Sequence, residues 1–165
     1  MLAPVLCYGG RISEAVALTE TFVERSGQQL GKDHWRAADA RVLLELITKL
    51  AALSEEELLQ AAEAERGLRR AQQLFRQGDL ERAATALAQA VKTRQSVLGS
   101  DNPLRAADLA KLGLVRMQQR QLNEALRLSL SALEVIERVY SAEECPHGHP
   151  FVAELASTAG GIAKQ

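Results

Sequence analysis

The sequence is poor in most of what sheets, secreted domains and membrane spans are built from. Aromatic residues make up 4% of its 165 positions, which leaves strands without much of their usual cross-strand packing material. It has four prolines and none between Pro4 and Pro103, so helices can run uninterrupted through most of the chain. Its two cysteines, Cys7 and Cys145, supply no disulfide framework and suit a reducing, cytoplasmic setting. No stretch approaches the roughly 18 consecutive apolar residues of a membrane span, and the first ten residues lack the basic region of a secretion signal. A formal net charge of −1 offers no global attraction to nucleic acid or to an anionic membrane. Neither is therefore expected as a partner.

What the chain does have is 47% hydrophobic residues, with Ala and Leu forming about a third of all positions, a composition that fills helix–helix interfaces. An all-α fold follows. Three segments superimpose when Ala15, Ala83 and Ala125 are aligned, the last two 42 residues apart. Each opens on a turn residue (Gly10, Gly78, Arg120) and an apolar residue (Ile12, Leu80, Leu122). Further apolar positions follow seven residues after the alanine (Phe22, Ala90, Ala132) and fifteen after it (Leu30, Leu98, Tyr140). This spacing keeps one helix face apolar over about four turns. Each such helix is expected to be the second of an antiparallel pair. The first helix of one pair starts at Pro103, capped by Asn102, and carries Leu109, Leu112, Gly113 and Leu114. Its counterparts carry Leu68, Ala71, Leu74 and Phe75, and, from Pro150, Leu155, Ala159 and Gly160.

These residues resemble the tetratricopeptide repeat, which couples Leu and a small residue in helix A to spaced alanines in helix B. Leu112, Gly113, Ala125 and Ala132 match that pattern, as do Ala71, Gly78, Ala83 and Ala90; Leu109 and Arg116 stand where the pattern has tryptophan and tyrosine. The 42-residue spacing and the linkers from Leu98 to Pro103 and from Leu30 to His34 resemble the kinesin light chain type of repeat. The resemblance implies a right-handed α-solenoid of about seven helices, near 11–30, 34–52, 54–77, 80–98, 103–118, 122–140 and 149–163. It divides the array into a partial repeat (1–33), an extended segment (34–77), repeats at 64–102 and 103–148, and a final partial repeat (149–165). Within 34–77, Arg36-Ala37-Ala38-Asp39 echoes Arg105-Ala106-Ala107-Asp108, and Ser54 with Glu57 has the spacing of a capping box that starts a new helix. Segments of this kind resemble spacers in large bacterial repeat proteins, some with a protein-kinase domain, so a structural spacer is the alternative to an interaction module. Leu2, Ala3 and Leu6 sit on a helix A whose first turns are missing, and Pro150 to Gln165 has no helix B after it. Both ends are therefore expected to be open and to favour homo-oligomers.

Chemistry finds little footing. Cys145, His147 and His149 lie within five residues, with Glu143 and Glu144 adjacent, but no second cysteine pair completes a metal site, and a lengthened turn accounts for them. Cys7 falls on the apolar side of a helix, where packing explains it. Gly160-Gly161 lacks the strand and spacing of a phosphate loop. No catalytic constellation, cofactor or metal is expected. Arg66, Arg69, Arg70 and Arg76 share one helix, partly neutralised by Glu63 and Glu65, and read as a solvated face. Trp35 reads as a helix-start packing residue. In the resembled repeat helix A lines the inside of the superhelix. This places the candidate partner-binding row on Leu68, Gln72, Phe75 and Arg76 in one repeat and on Ala110, Leu114, Met117 and Gln118 in the next. Lys111 lies beside the second set, and Ser157 begins the row on the last helix. An apolar floor with a cationic rim suits a peptide or protein segment that has apolar anchors and an acidic residue.

Overall fold

The computed structural model describes residues 3–141 and 145–164; Leu2, Glu143 and Glu144 of the motifs above lie outside them. Eight helices and no strand occur among the described residues. They are α1 (Ala3–Tyr8), α2 (Ile12–Leu30), α3 (Trp35–Ala51), α4 (Glu55–Arg76), α5 (Leu80–Leu98), α6 (Pro103–Gln118), α7 (Leu122–Val139) and α8 (Pro150–Ile162). The seven expected helices are present within one or two residues of their expected ends, and α1 is the stub to which Leu6 belongs.

Local chemistry sets these boundaries. The capping box forms: the Ser54 backbone N–H donates to Glu57 Oε2 at 2.9 Å and the Glu57 N–H donates to Ser54 Oγ at 3.3 Å. Hydrogen bonds from the Ser54 backbone and side chain hold the Glu57 carboxyl below its ordinary range. Asn102 accepts from the Arg105 N–H at 2.8 Å, with Pro103 in the first turn. Asp79 caps α5 and His34 Nδ1 caps α3 in the same way. The three turns before the aligned alanines are built alike. Gly10, Gly78 and Arg120 adopt left-handed backbone, with φ of 76°, 80° and 63°, and in each turn the next residue's N–H reaches back five residues, from Arg11 to Leu6, Asp79 to Leu74 and Gln121 to Arg116. Arg120 alone bears a Cβ in that conformation. Arg120→Gly should therefore stabilise the protein by about 0.5–1 kcal/mol; a lower denaturation midpoint than the parent's would refute the strain.

Two compact units result, 1–59 with 139–149 and 60–138 with 150–165. In the first, α2 packs on α1 and α3, around Cys7, Ala38, Ile47 and Leu50, all fully enclosed. Cys7 lies in this packing and its thiol is raised by burial, which is the environment of an inert cysteine.

In the second unit the helices run antiparallel in sequence. Late α5 meets the middle of α4 through Arg94 and Glu65, the end of α6 returns to the start of α5 through Gln119 and Glu81, and the end of α7 returns to the α5–α6 turn through Arg138 and Asp101. Leu74, Ala83, Leu87, Ala90, Leu109, Leu112, Gly113, Ala125 and Ala132 are all buried here, as the repeat register requires. The first aligned helix departs from it at two positions. Leu30 is 41% exposed where Leu98 is buried. Phe22, seven residues after its aligned alanine, is 47% exposed, whereas Ala90 and Ala132 at the same register are buried. A phenylalanine is too large for an interface that alanines hold at close spacing.

Candidate functional site

The second unit carries a cavity of about 300 Å³ walled by its two first helices. Gln72, Phe75 and Arg76 enter from α4, Lys111 and Leu114 from α6, and Leu87 of α5 closes the floor. The 42-residue register explains the meeting: Gln72 and Leu114 occupy equivalent positions, and helical spacing of three or four brings Phe75 and Arg76 onto the face of Gln72 and Lys111 onto that of Leu114. Phe75 is half-buried and Leu114 exposed, so apolar surface is open to a ligand.

Five of the ten candidate residues thus share one cavity. Leu68 lies in the core at 4% exposure. Ala110 and Met117 are half-buried, while Gln118 and Ser157 are exposed, and none of the four lines the cavity. Leu87 and Val115 do line it. Their signal was present as apolar periodicity, but an apolar residue on a core-facing stripe looks the same in sequence whether or not a cavity reaches it.

The two cations differ in their commitments. Lys111 Nζ is 3.5 Å from Asp108 Oδ1, so part of its charge is taken up inside the protein. Arg76 is exposed and has no ion pair among the described residues, which makes it the cation open to an incoming carboxylate. Behind Lys111 lies a buried charge network. Arg94, 3% exposed, donates to Asp108 Oδ2 and to Glu65 Oε2. Asp108 is fully enclosed, and its Oδ1 accepts no hydrogen bond. Burial raises the Asp108 carboxyl above its ordinary range in spite of the opposing charges of Arg94 and Lys111.

The echo of Arg36-Ala37-Ala38-Asp39 makes Asp39 the counterpart of Asp108, and the first unit satisfies it differently. The position matching Arg94 is Ser26, which brings no charge. Instead Tyr140 Oη donates to Asp39 Oδ1 at 2.5 Å and His149 Nε2 lies 3.1 Å from the same oxygen, the two rings stacked at 4.0 Å. Burial first, and then the hydrogen bond to Asp39, push the Tyr140 hydroxyl well above its usual value. Trp35 meets the His149 ring edge-on and stacks on His34, which is a packing role. Cys145 Sγ donates to the Gly148 carbonyl. The His-Pro turn is thus engaged in packing Asp39, a role its sequence did not reveal.

The tetratricopeptide repeat family model matches residues 60–138, the segment that holds the cavity. Two solved structures of a Podosopora anserina protein named for kinesin light chain and built of nearly identical TPR-like repeats, one of them a point variant, are 20% identical to this chain. They cover 98% of it at a TM-score of 0.41, with 91% and 92% of their own chains covered. No curated protein matches. Among the described residues no helix is long and apolar enough to cross a membrane.

Proposed function

We propose, for a chain whose residues 60–138 are tetratricopeptide repeats, that the α4–α6 cavity binds a peptide or protein segment carrying a large apolar side chain followed closely by a carboxylate. Repeats of this family generally mediate protein–protein interaction. The observation that carries the finer reading is the joining of Phe75, Leu114, Arg76 and Lys111 around one opening. The apolar side chain covers Phe75 and Leu114 and gains roughly 25 cal/mol per Å² of surface removed from water. The carboxylate pairs with Arg76, the uncommitted guanidinium. Repeats of this family are typically non-catalytic scaffolds.

Selection of a displayed random peptide library on the protein should enrich an aromatic or aliphatic residue next to Asp or Glu. The enriched peptide should then bind Phe75→Ala/Arg76→Glu at least about tenfold more weakly, a loss of about 1.4 kcal/mol, while the variant's melting temperature stays near the parent's. No enrichment, or equal affinity in the folded double variant, would overturn this assignment.

A further inference from the structure

A second and larger cavity, about 520 Å³, lies between α4 and α5 and is independent of the peptide site. Its lining is unusual for a repeat interface: Ala64, Gly67, Arg70, Ala86, Ala90 and Thr93. The 42-residue register gives the comparison that matters. Gly67, Arg70, Ala86 and Thr93 correspond to Leu109, Leu112, Leu128 and Val135 of the following repeat, all of which are buried. Where that repeat fills the face with its own large side chains, this one carries glycine, alanine and polar residues and leaves a hollow. A Cβ added at Gly67 would meet no atom within 4 Å, so the hollow is open at that point.

The complementary surface is on α2. Leu18 and Phe22, one helical turn apart, are 49% and 47% exposed, and they stand at the register of Ala86 and Ala90 themselves. Large apolar side chains are thus displayed on one helix, and the small residues that could receive them line another. The charges agree with this pairing. α2 carries Glu14, Glu20 and Glu24 against Arg25 alone, while the hollow has Arg70 and Arg82 against Glu63. Arg82 is held by Asp79, and Glu63 faces Arg66. Arg70 has no ion pair among the described residues, and it belongs to the arginine run noted in the sequence.

We infer that the α4–α5 hollow receives helix α2 of a second copy of this chain, with Leu18 and Phe22 seated over Gly67 and Ala86 and an α2 carboxylate on Arg70. Such a contact joins two different surfaces, so copies associate head to tail. Each copy offers one helix and one hollow.

Sedimentation of the parent over a concentration series should show mass rising above the 18.0 kDa monomer. Gly67→Leu fills the hollow, and Phe22→Glu, at an exposed position, removes the inserted side chain. Arg70→Glu, also exposed, is a second hollow variant that leaves the packing alone. Each variant, checked for parental helicity and melting, should remain monomeric or shift its association midpoint at least about tenfold. The decisive sample mixes Gly67→Leu, whose α2 is intact, with Phe22→Glu, whose hollow is intact: the pair should form a 1:1 dimer although neither associates alone. A parent that stays monomeric at every concentration would overturn the proposal, leaving the hollow to another occupant. So would folded variants that associate like the parent, or a mixture that stays monomeric.

Discussion

Arg94→Met lowers the unfolding free energy by about 3–5 kcal/mol, the cost of leaving a buried charge without its partner. Asp108 is fully enclosed, and once the guanidinium is gone only Lys111, at 3.5 Å, faces it. For a chain of this length the corresponding fall in melting temperature is roughly 6–20 °C. The pH dependence follows from the direction of the Asp108 shift. Its carboxyl is already raised in the folded protein, so the folded state holds that proton more readily than the unfolded chain does. Stability from this group is fully present below the unfolded value and is lost as pH rises through the folded one. Removing Arg94 raises the folded value further. The deficit of Arg94→Met relative to the parent should therefore be larger at pH 8 than at pH 5. Arg94→Met/Asp108→Leu, which removes both charges, should recover much of the loss. A single variant within 1 kcal/mol of the parent, or a double variant no better than the single, would show that the network does not hold α4, α5 and α6 together.

Ala125→Leu should cost about 1–3 kcal/mol or more by overpacking. Ala125 is fully buried on α7, where its backbone faces Gly113 of α6. A Cβ at the facing Gly113 would stand 3.3 Å from the Ala125 carbonyl oxygen and 3.2 Å from Ser129 Oγ, so the two helices are already at contact. A leucine has room only if α7 moves away from α6, which opens the packing of Leu112 and Leu128 as well. Chemical denaturation measures the loss. A variant that unfolds with the parent would mean that the aligned alanines do not mark the helix interface.

Much of this architecture was legible in the sequence because it is periodic and locally signalled. The aligned alanines place three helices, Asn102-Pro103 and the Ser54–Glu57 box place the starts of two others, and Gly78 and Gly10 mark turns whose left-handed backbone Arg120 shares. The lining of the α4–α6 cavity was legible in part. Repeat register brought Gln72, Phe75, Arg76, Lys111 and Leu114 to one face, but it could not separate Leu68, which turns into the core, from residues that reach the opening. Nor could it show what depends on pairs distant in sequence. Asp39 finds Tyr140 and His149 about a hundred residues away, and Arg94 joins Glu65 to Asp108 across three helices; each residue alone looks like an ordinary surface charge. The exposure of Phe22 was hidden for a related reason, since apolar spacing records that a face is apolar and not whether a neighbour covers it.

The proposed peptide site is tested most directly by mapping amide chemical-shift changes in this 18.0 kDa protein on titration with the selected peptide. The predicted result is a cluster of changes at Gln72, Phe75, Arg76, Lys111 and Leu114, absent in Phe75→Ala/Arg76→Glu. Changes centred instead on the outer faces of α5 and α7, or on α3 between Leu43 and Leu50, would contradict it.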